Sequence, residues 1–231
     1  MKPLLTTGLL ALLASTAVEA QELDITITNL THGSHFTPLL VAAHPDGMHL
    51  FEVGKPASTQ LQAMAEGGDI SGLAADIDGA GGDKVANPAA GLLAPGASTR
   101  FSLTTQDGND RLSIVAMVLP TNDGFVGIDN LAIPSTPGNY TFTMNAWDAG
   151  TEANDEIVNG GGTPGTPGIP ADPLGKSGTG GSGVAGADDN GNIHIHRGVI
   201  GDTDPTGGPS DLDSRIHRWL NPVARLTITV K

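Results

Sequence analysis

The run Leu112-Ser113-Ile114-Val115-Ala116-Met117-Val118 leads into Asn122-Asp123-Gly124-Phe125-Val126-Gly127-Ile128-Asp129-Asn130. A second run, Tyr140-Thr141-Phe142-Thr143-Met144, leads into Trp147-Asp148-Ala149-Gly150-Thr151-Glu152. Each apolar run has the period-two pattern of a strand, and each ends in carboxylates set among glycine turns. Further strand patterns occur at 23–28, 99–104, 192–196 and 224–230. Together they predict an all-β protein, an antiparallel β-sandwich of about eight strands with one wet face. Helix signals are sparse. They predict one short helix over 57–66, starting near Ser58, and another over 210–220 with Ser210 as N-cap. The Gly-, Ala- and Asp-rich stretch 67–95 reads as loop.

Composition narrows the function classes. Lys and Arg number 11 against 25 Asp and Glu, for a formal charge of −14. Nucleic acid is an unsuitable partner, because phosphate binding needs clustered cationic side chains. The first twenty residues read as a secretory signal peptide: Met1-Lys2, an apolar run from Leu4 to Val18, and cleavage after Ala20. The run is too short for a convincing membrane span, and no later segment approaches one. A secreted or periplasmic mature chain, 21–231, is expected. With no cysteine, it has neither disulfides nor a lipidation site, so its stability rests on core packing, on ions, or on both. Glycine and proline, 33 and 16 residues, suit a loop-rich β fold. They concentrate in 159–192, which reads as an insertion within one domain.

Carboxylates on tight turns are how a β protein offers oxygen ligands to a hard cation, although Asp-Gly turns are also common without any ion. Asp76-Ile77-Asp78-Gly79 and Asp188-Asp189-Asn190-Gly191-Asn192 read as solvated turns, the latter being the better second-site candidate. Neither fits the EF-hand pattern. His194 and His196 stand two apart on a predicted strand, a spacing that zinc enzymes use with a third ligand. His217, His32, His35, His44 or His49 are the available thirds. Because Ile193 and Ile195 should face the core, both histidines are expected on the solvent face. Nucleophile signatures are lacking: there is no cysteine and no Gly-x-Ser-x-Gly elbow at a strand–helix junction. Trp147 and Trp219 are expected in core or corner packing rather than as carbohydrate platforms.

The segments Asn29–Phe36 with Pro38, Val115–Asp129, Trp147–Thr151, Ile195–Gly198 and Asn221–Ile228 resemble the spondin N-terminal domain family. The resemblance implies a C2-like sandwich with a calcium ion held at one end by loop carboxylates. Carried over residue by residue, those carboxylates are Asp123, Asp148 and Glu152. Glu152 departs from the family's Asp, and Asp155 or Glu156 can stand in for it. The expected function is a secreted, non-enzymatic calcium-binding module, for adhesion or ligand binding, whose ion-ordered loops take a polysaccharide, a matrix component or lipid headgroups. The alternatives are a metal-dependent hydrolase using His194 and His196, and a structural component of a surface assembly.

Overall fold

A computed structural model describes residues 20–174, 177–184 and 191–231. The expected signal peptide up to residue 19, and residues 188–190 of the second candidate turn, lie outside the described residues. In chain order the elements are β1 (Glu22–Asn29), β2 (His35–Phe36), β3 (Leu40–His44), α1 (Thr59–Gly67), α2 (Ser71–Gly79), β4 (Asp83–Ala86), β5 (Ser98–Thr104), β6 (Arg111–Leu119), β7 (Gly124–Ala132), β8 (Gly138–Asp148), β9 (His194–Ile195) and β10 (Ala224–Val230). The strands pair antiparallel in the order β4-β3-β6-β7-β8-β10-β1-β5, with β2 on β6 and β9 on β8. The eight-strand path is nearly closed. Between its two ends, the Asp83 side chain at the start of β4 accepts from Gln106 N (2.6 Å) and Asn109 Nδ2 (2.8 Å), just beyond β5. The molecule is the all-β antiparallel sandwich that the alternating runs predict.

Strand β8 joins the two halves. Its first part, Gly138–Met144, pairs with β10, and its last part, Asn145–Asp148, pairs with β7. Strands β1 and β10 alternate strictly, placing Leu23, Ile25, Ile27, Leu226 and Ile228 in the central core with Ile114, Val118 and Val126. Strand β6 departs from the expectation of one wet face, because Leu112 to Leu119 are all buried. Its odd-numbered residues Val115 and Met117 face a second cluster, with Leu61 and Met64 of α1 and Leu73 and Ile77 of α2. The helices cover what would otherwise be the outer face of the sheet.

The first predicted helix forms. Ser58 caps α1 by accepting from Leu61 N (3.1 Å), and Gly68, at φ +74°, ends it. The expected loop 67–95 contains α2 and β4 instead. Leu73 and Ile77 lie four apart, and burial of that face carries a helix with no side-chain cap. Asp76 and Asp78 therefore belong to a helix rather than a turn, and Asp78 pairs with Lys84. The second expected helix, 210–220, is absent; this segment is a series of turns. Ser210 Oγ accepts from Leu212 N (2.9 Å), two residues on, and donates to Glu156 Oε2 (2.6 Å), so it closes a turn rather than starting a helix. Among the described residues no helix is long and apolar enough to cross a membrane.

Asn29 is fully buried at the end of β1. Its Nδ2 donates to the carbonyls of Ser34 (2.8 Å) and Leu93 (3.0 Å), and its Oδ1 accepts from Thr31 N (2.9 Å) and Thr31 Oγ1 (2.7 Å). Asn29→Ala strands buried partners on both sides and is expected to cost about 2–3 kcal/mol in urea unfolding. Leu30→Ala, at a half-exposed neighbour, is expected to stay within about 0.5 kcal/mol of the parent.

Candidate metal centre at the β7–β8 end

The pairing of Gly124 with Asp148 brings the start of β7 beside the end of β8. Asp123 and Asp148, one residue outside and at the last residue of these strands, thus share one end of the sandwich. The turn before β7 is closed by Thr121, whose Oγ1 donates to Val118 O (2.6 Å) and accepts from Gly124 N (3.0 Å). A Cβ on Gly124 would stand 2.8 Å from Thr121 Oγ1 and 2.9 Å from His196 Cδ2. Gly150 is equally constrained: its φ is +70°, and a Cβ would lie 2.6 Å from the carbonyl oxygen of Asn192.

All three expected ligand carboxylates are buried. Asp123 Oδ2 accepts from Thr151 N (2.8 Å), Glu152 N (3.0 Å) and Thr151 Oγ1 (3.2 Å). Asp148 Oδ1 accepts from Gly150 N (2.9 Å), and its Oδ2 from Asn154 Nδ2 (2.7 Å). Glu152 Oε2 accepts from Gly168 N (3.0 Å) in the Gly/Pro segment, with Asn122 Nδ2 at 3.4 Å. The other oxygens of two of these groups, Asp123 Oδ1 and Glu152 Oε1, are buried with no hydrogen-bond partner. Burial, reinforced by the charge of Asp148, pushes the Asp123 carboxyl up to about 7, against the pull of the Thr151 and Glu152 amides. Burial also raises Glu152 to about 7, with Glu66 and Asp123 adding repulsion. The three carboxylates line one end of the sandwich, but no three His, Asp or Glu side chains among the described residues are gathered into a ready-made cage.

The two reserve ligands are committed elsewhere. Asp155 Oδ1 accepts from Asn122 Nδ2 (2.8 Å) and Ile157 N (3.0 Å). The Glu156 carboxylate accepts from Ile200 N (2.6 Å), Gly201 N (2.8 Å) and Ser210 Oγ (2.6 Å). Sequence reasoning missed this stapling role. It also missed Asp211, which accepts from Thr179 N (2.7 Å), Gly181 N (2.8 Å) and Val158 N (2.8 Å). Nothing in the local sequence separates a carboxylate that ties loops from one that faces water.

The histidine pair departs from expectation. Only His194 and Ile195 pair with β8, and the side chain of Ile195 faces outward while His196 is buried against Trp219, ring centroids 5.3 Å apart. His196 Nδ1 accepts from Gly198 N (3.0 Å), which puts the ring proton on Nε2. Burial holds His196 down at about 4, partly offset by Asp148 and deepened by His194. His194 Nδ1 meets the Asn192 carbonyl (2.9 Å), and its Nε2 lies 3.8 Å from Asp148 Oδ2. Three of the five candidate thirds serve other partners: His44 bonds Ser113 (2.7 Å), His49 bonds Asp129 (2.5 Å) and His217 lies 3.7 Å from Asp172, while His35 keeps a buried Nδ1 without a hydrogen bond. A zinc centre on His194 and His196 therefore loses its geometric basis: His196 would have to give up its proton or its bond to Gly198, and no third ring converges.

Residues 28–158, more than half of the chain, match the family described as Spondin_N. The match takes in Asp123, Asp148 and Glu152 and stops short of the Gly/Pro segment and the histidine pair. No curated protein matches the chain.

A carboxyl with a raised folded pKa holds its proton more tightly folded than unfolded. The resulting penalty is small below the unfolded value of about 4 and grows as pH rises through about 7. In metal-free protein, Asp123→Asn removes one such penalty while keeping an oxygen for the Thr151 and Glu152 amides. Urea unfolding is expected to show the variant gaining at least about 1 kcal/mol on the parent between pH 5 and pH 7.5. A difference that does not change with pH refutes the burial assignment.

Proposed function

The chain belongs to the Spondin_N family, and from that premise we propose that it is a secreted module whose end loops are ordered by a calcium ion. Asp123, Asp148 and Glu152 would hold the ion, with loop carbonyls and water completing its shell. The observation that carries this reading is the pair of buried carboxylate oxygens, Asp123 Oδ1 and Glu152 Oε1, that lack any donor beside a third carboxylate. Buried anionic oxygens without partners are costly, and a hard cation that accepts six to eight oxygens at flexible angles relieves that cost. When bound, calcium supplies positive charge that neutralises these groups and can reach an anionic group on a ligand.

The residues themselves do the rest. Asp123 ties down the Thr151 and Glu152 amides, and Glu152 ties down Gly168, so the ligand set and the loop positions are mechanically one. Ordered this way, the loops would bind an extracellular polysaccharide, a matrix component or lipid headgroups, which makes the protein an adhesion or ligand-binding module rather than an enzyme.

Calcium at a hundred times its dissociation constant is expected to stabilise the protein by about 2.7 kcal/mol, seen as a rise in Tm that chelator reverses. Asp123→Asn and Asp148→Asn are expected to abolish the shift, and Glu152→Gln to weaken it. Titration calorimetry with calcium, paired with native mass spectrometry for bound metal, provides the check. A Tm indifferent to calcium and chelator, with no metal retained, rejects the proposal.

A further inference from the structure

A groove of about 450 Å³ runs along the outer face of β7 and β8, beside the segment that follows β3. Its volume lies in the range of small-molecule sites, about 300–1,000 Å³. None of its lining residues is one of the three end carboxylates, and nothing in its construction requires the ion. The period of two on β8 places Thr143, Asn145 and Trp147 on this face, while Met144 and Ala146 point into the core. Trp147 is half-buried rather than sealed in the core, and its orientation is fixed. Its Nε1 donates to Gly127 O (3.0 Å), and its ring tilts at 54° against Phe51 with centroids 5.6 Å apart. Gly127 makes this possible, since a Cβ there would stand 2.9 Å from Phe51 Cε1.

Opposite the indole, the polar wall is also held in place. Asp129 accepts from Leu50 N (2.8 Å) and Ser113 Oγ (3.0 Å) and bonds His49 Nδ1 (2.5 Å). His49 therefore turns its Nε2 outward, with Asn130 Nδ2 at 3.5 Å. Asn130 sits at φ +51°, a conformation that costs a non-glycine residue energy, and its buried Oδ1 has no partner. Glu52 stands exposed at the rim.

The geometry points to a binding site for a neutral sugar ring of an extracellular glycan. The half-exposed, preset indole offers an apolar platform, and amide, imidazole, hydroxyl and carboxylate side chains line the groove beside it. Charge and shape decide against the other classes. No Lys or Arg lines the groove, which disfavours anions. A quaternary ammonium wants several aromatic faces, but Phe51 is buried with its ring engaged edge-on by Phe125 (5.0 Å, 83°), leaving Trp147 alone.

The test uses the mature chain carrying Trp219→Phe, so that Trp147 is the sole tryptophan and is excited selectively over Tyr140. Cellobiose, N,N′-diacetylchitobiose, xylobiose, mannobiose and lactose are titrated, with choline and a sulphated disaccharide as controls, in calcium and in chelator. At least one neutral disaccharide is expected to shift Trp147 emission and to give saturation-transfer NMR signals in both conditions. Asn145→Ala is expected to weaken that binding about tenfold, the equivalent of one lost hydrogen bond of about 1.4 kcal/mol. Thr143→Arg, at an exposed position on the groove wall, is expected to abolish it with the melting curve unchanged. Binding of choline or the sulphated sugar in preference to every neutral one overturns the inference, as does affinity that survives both substitutions or silence from all five neutral sugars. Because chelator and Asp123→Asn should leave sugar binding intact, failure here is distinguishable from failure of the calcium site.

Discussion

Buried carboxylates that accept backbone amides hold the irregular half of this molecule to its sheet. Asp123 grips the Thr151 and Glu152 amides, Glu152 grips Gly168, and Glu66 grips Gly165 (2.6 Å). Asp211 gathers Val158, Thr179 and Gly181, while Glu156 gathers Ile200, Gly201 and Ser210. A chain without cysteine has no covalent staple for such loops. Charge-assisted hydrogen bonds to backbone N–H groups, about twice as strong as neutral ones, take that place.

The arrangement has an electrostatic cost that differs from site to site. Asp211 is held below the usual carboxylate range: burial works against it, but the amides of Gly181, Thr179 and Val158 prevail. Asp123 and Glu152 go the other way because burial outweighs the amides each accepts and neighbouring acids add repulsion, and each keeps one buried oxygen without a donor. The same device is therefore relaxed at one end of the loop segment and strained at the other. That contrast, more than the count of acids, is why the calcium proposal concerns the β7–β8 end.

Strands β7 and β8 serve two surfaces at once. Their ends present Asp123 and Asp148, and their outer faces present Gly127, Asn145 and Trp147. Both surfaces follow from one register, Gly124 against Asp148 and Phe125 against Trp147. A slip of one residue would turn Trp147 into the core and Ala146 out to solvent.

Much of the frame was legible in the chain. Strict alternation in Leu23–Thr28 and Ala224–Val230 marked two strands that pair along their whole length, and Ser58 marked the start of α1. The two acidic stretches were legible as turns at strand ends, because glycines and carboxylates follow apolar runs; that they share one end of the sandwich was implied only by the family resemblance, and the β7–β8 register brings them there. Other features depended on partners far along the sequence. Residues 71–79 become helix because Leu73 and Ile77 find α1 and the outer face of β3 and β4, and 210–220 do not because Ser210 is drawn to Glu156. His196 is buried because the strand stops at Ile195, and Trp147 is half-exposed because Gly127 lets Phe51 lie beneath it. The sequence alone determined where the long alternating strands fall, since those obey local periodicity and backbone sterics. Which carboxylates lose water, which find donors and which aromatic face stays open was decided only by tertiary structure, because desolvation is a property of everything packed around a group.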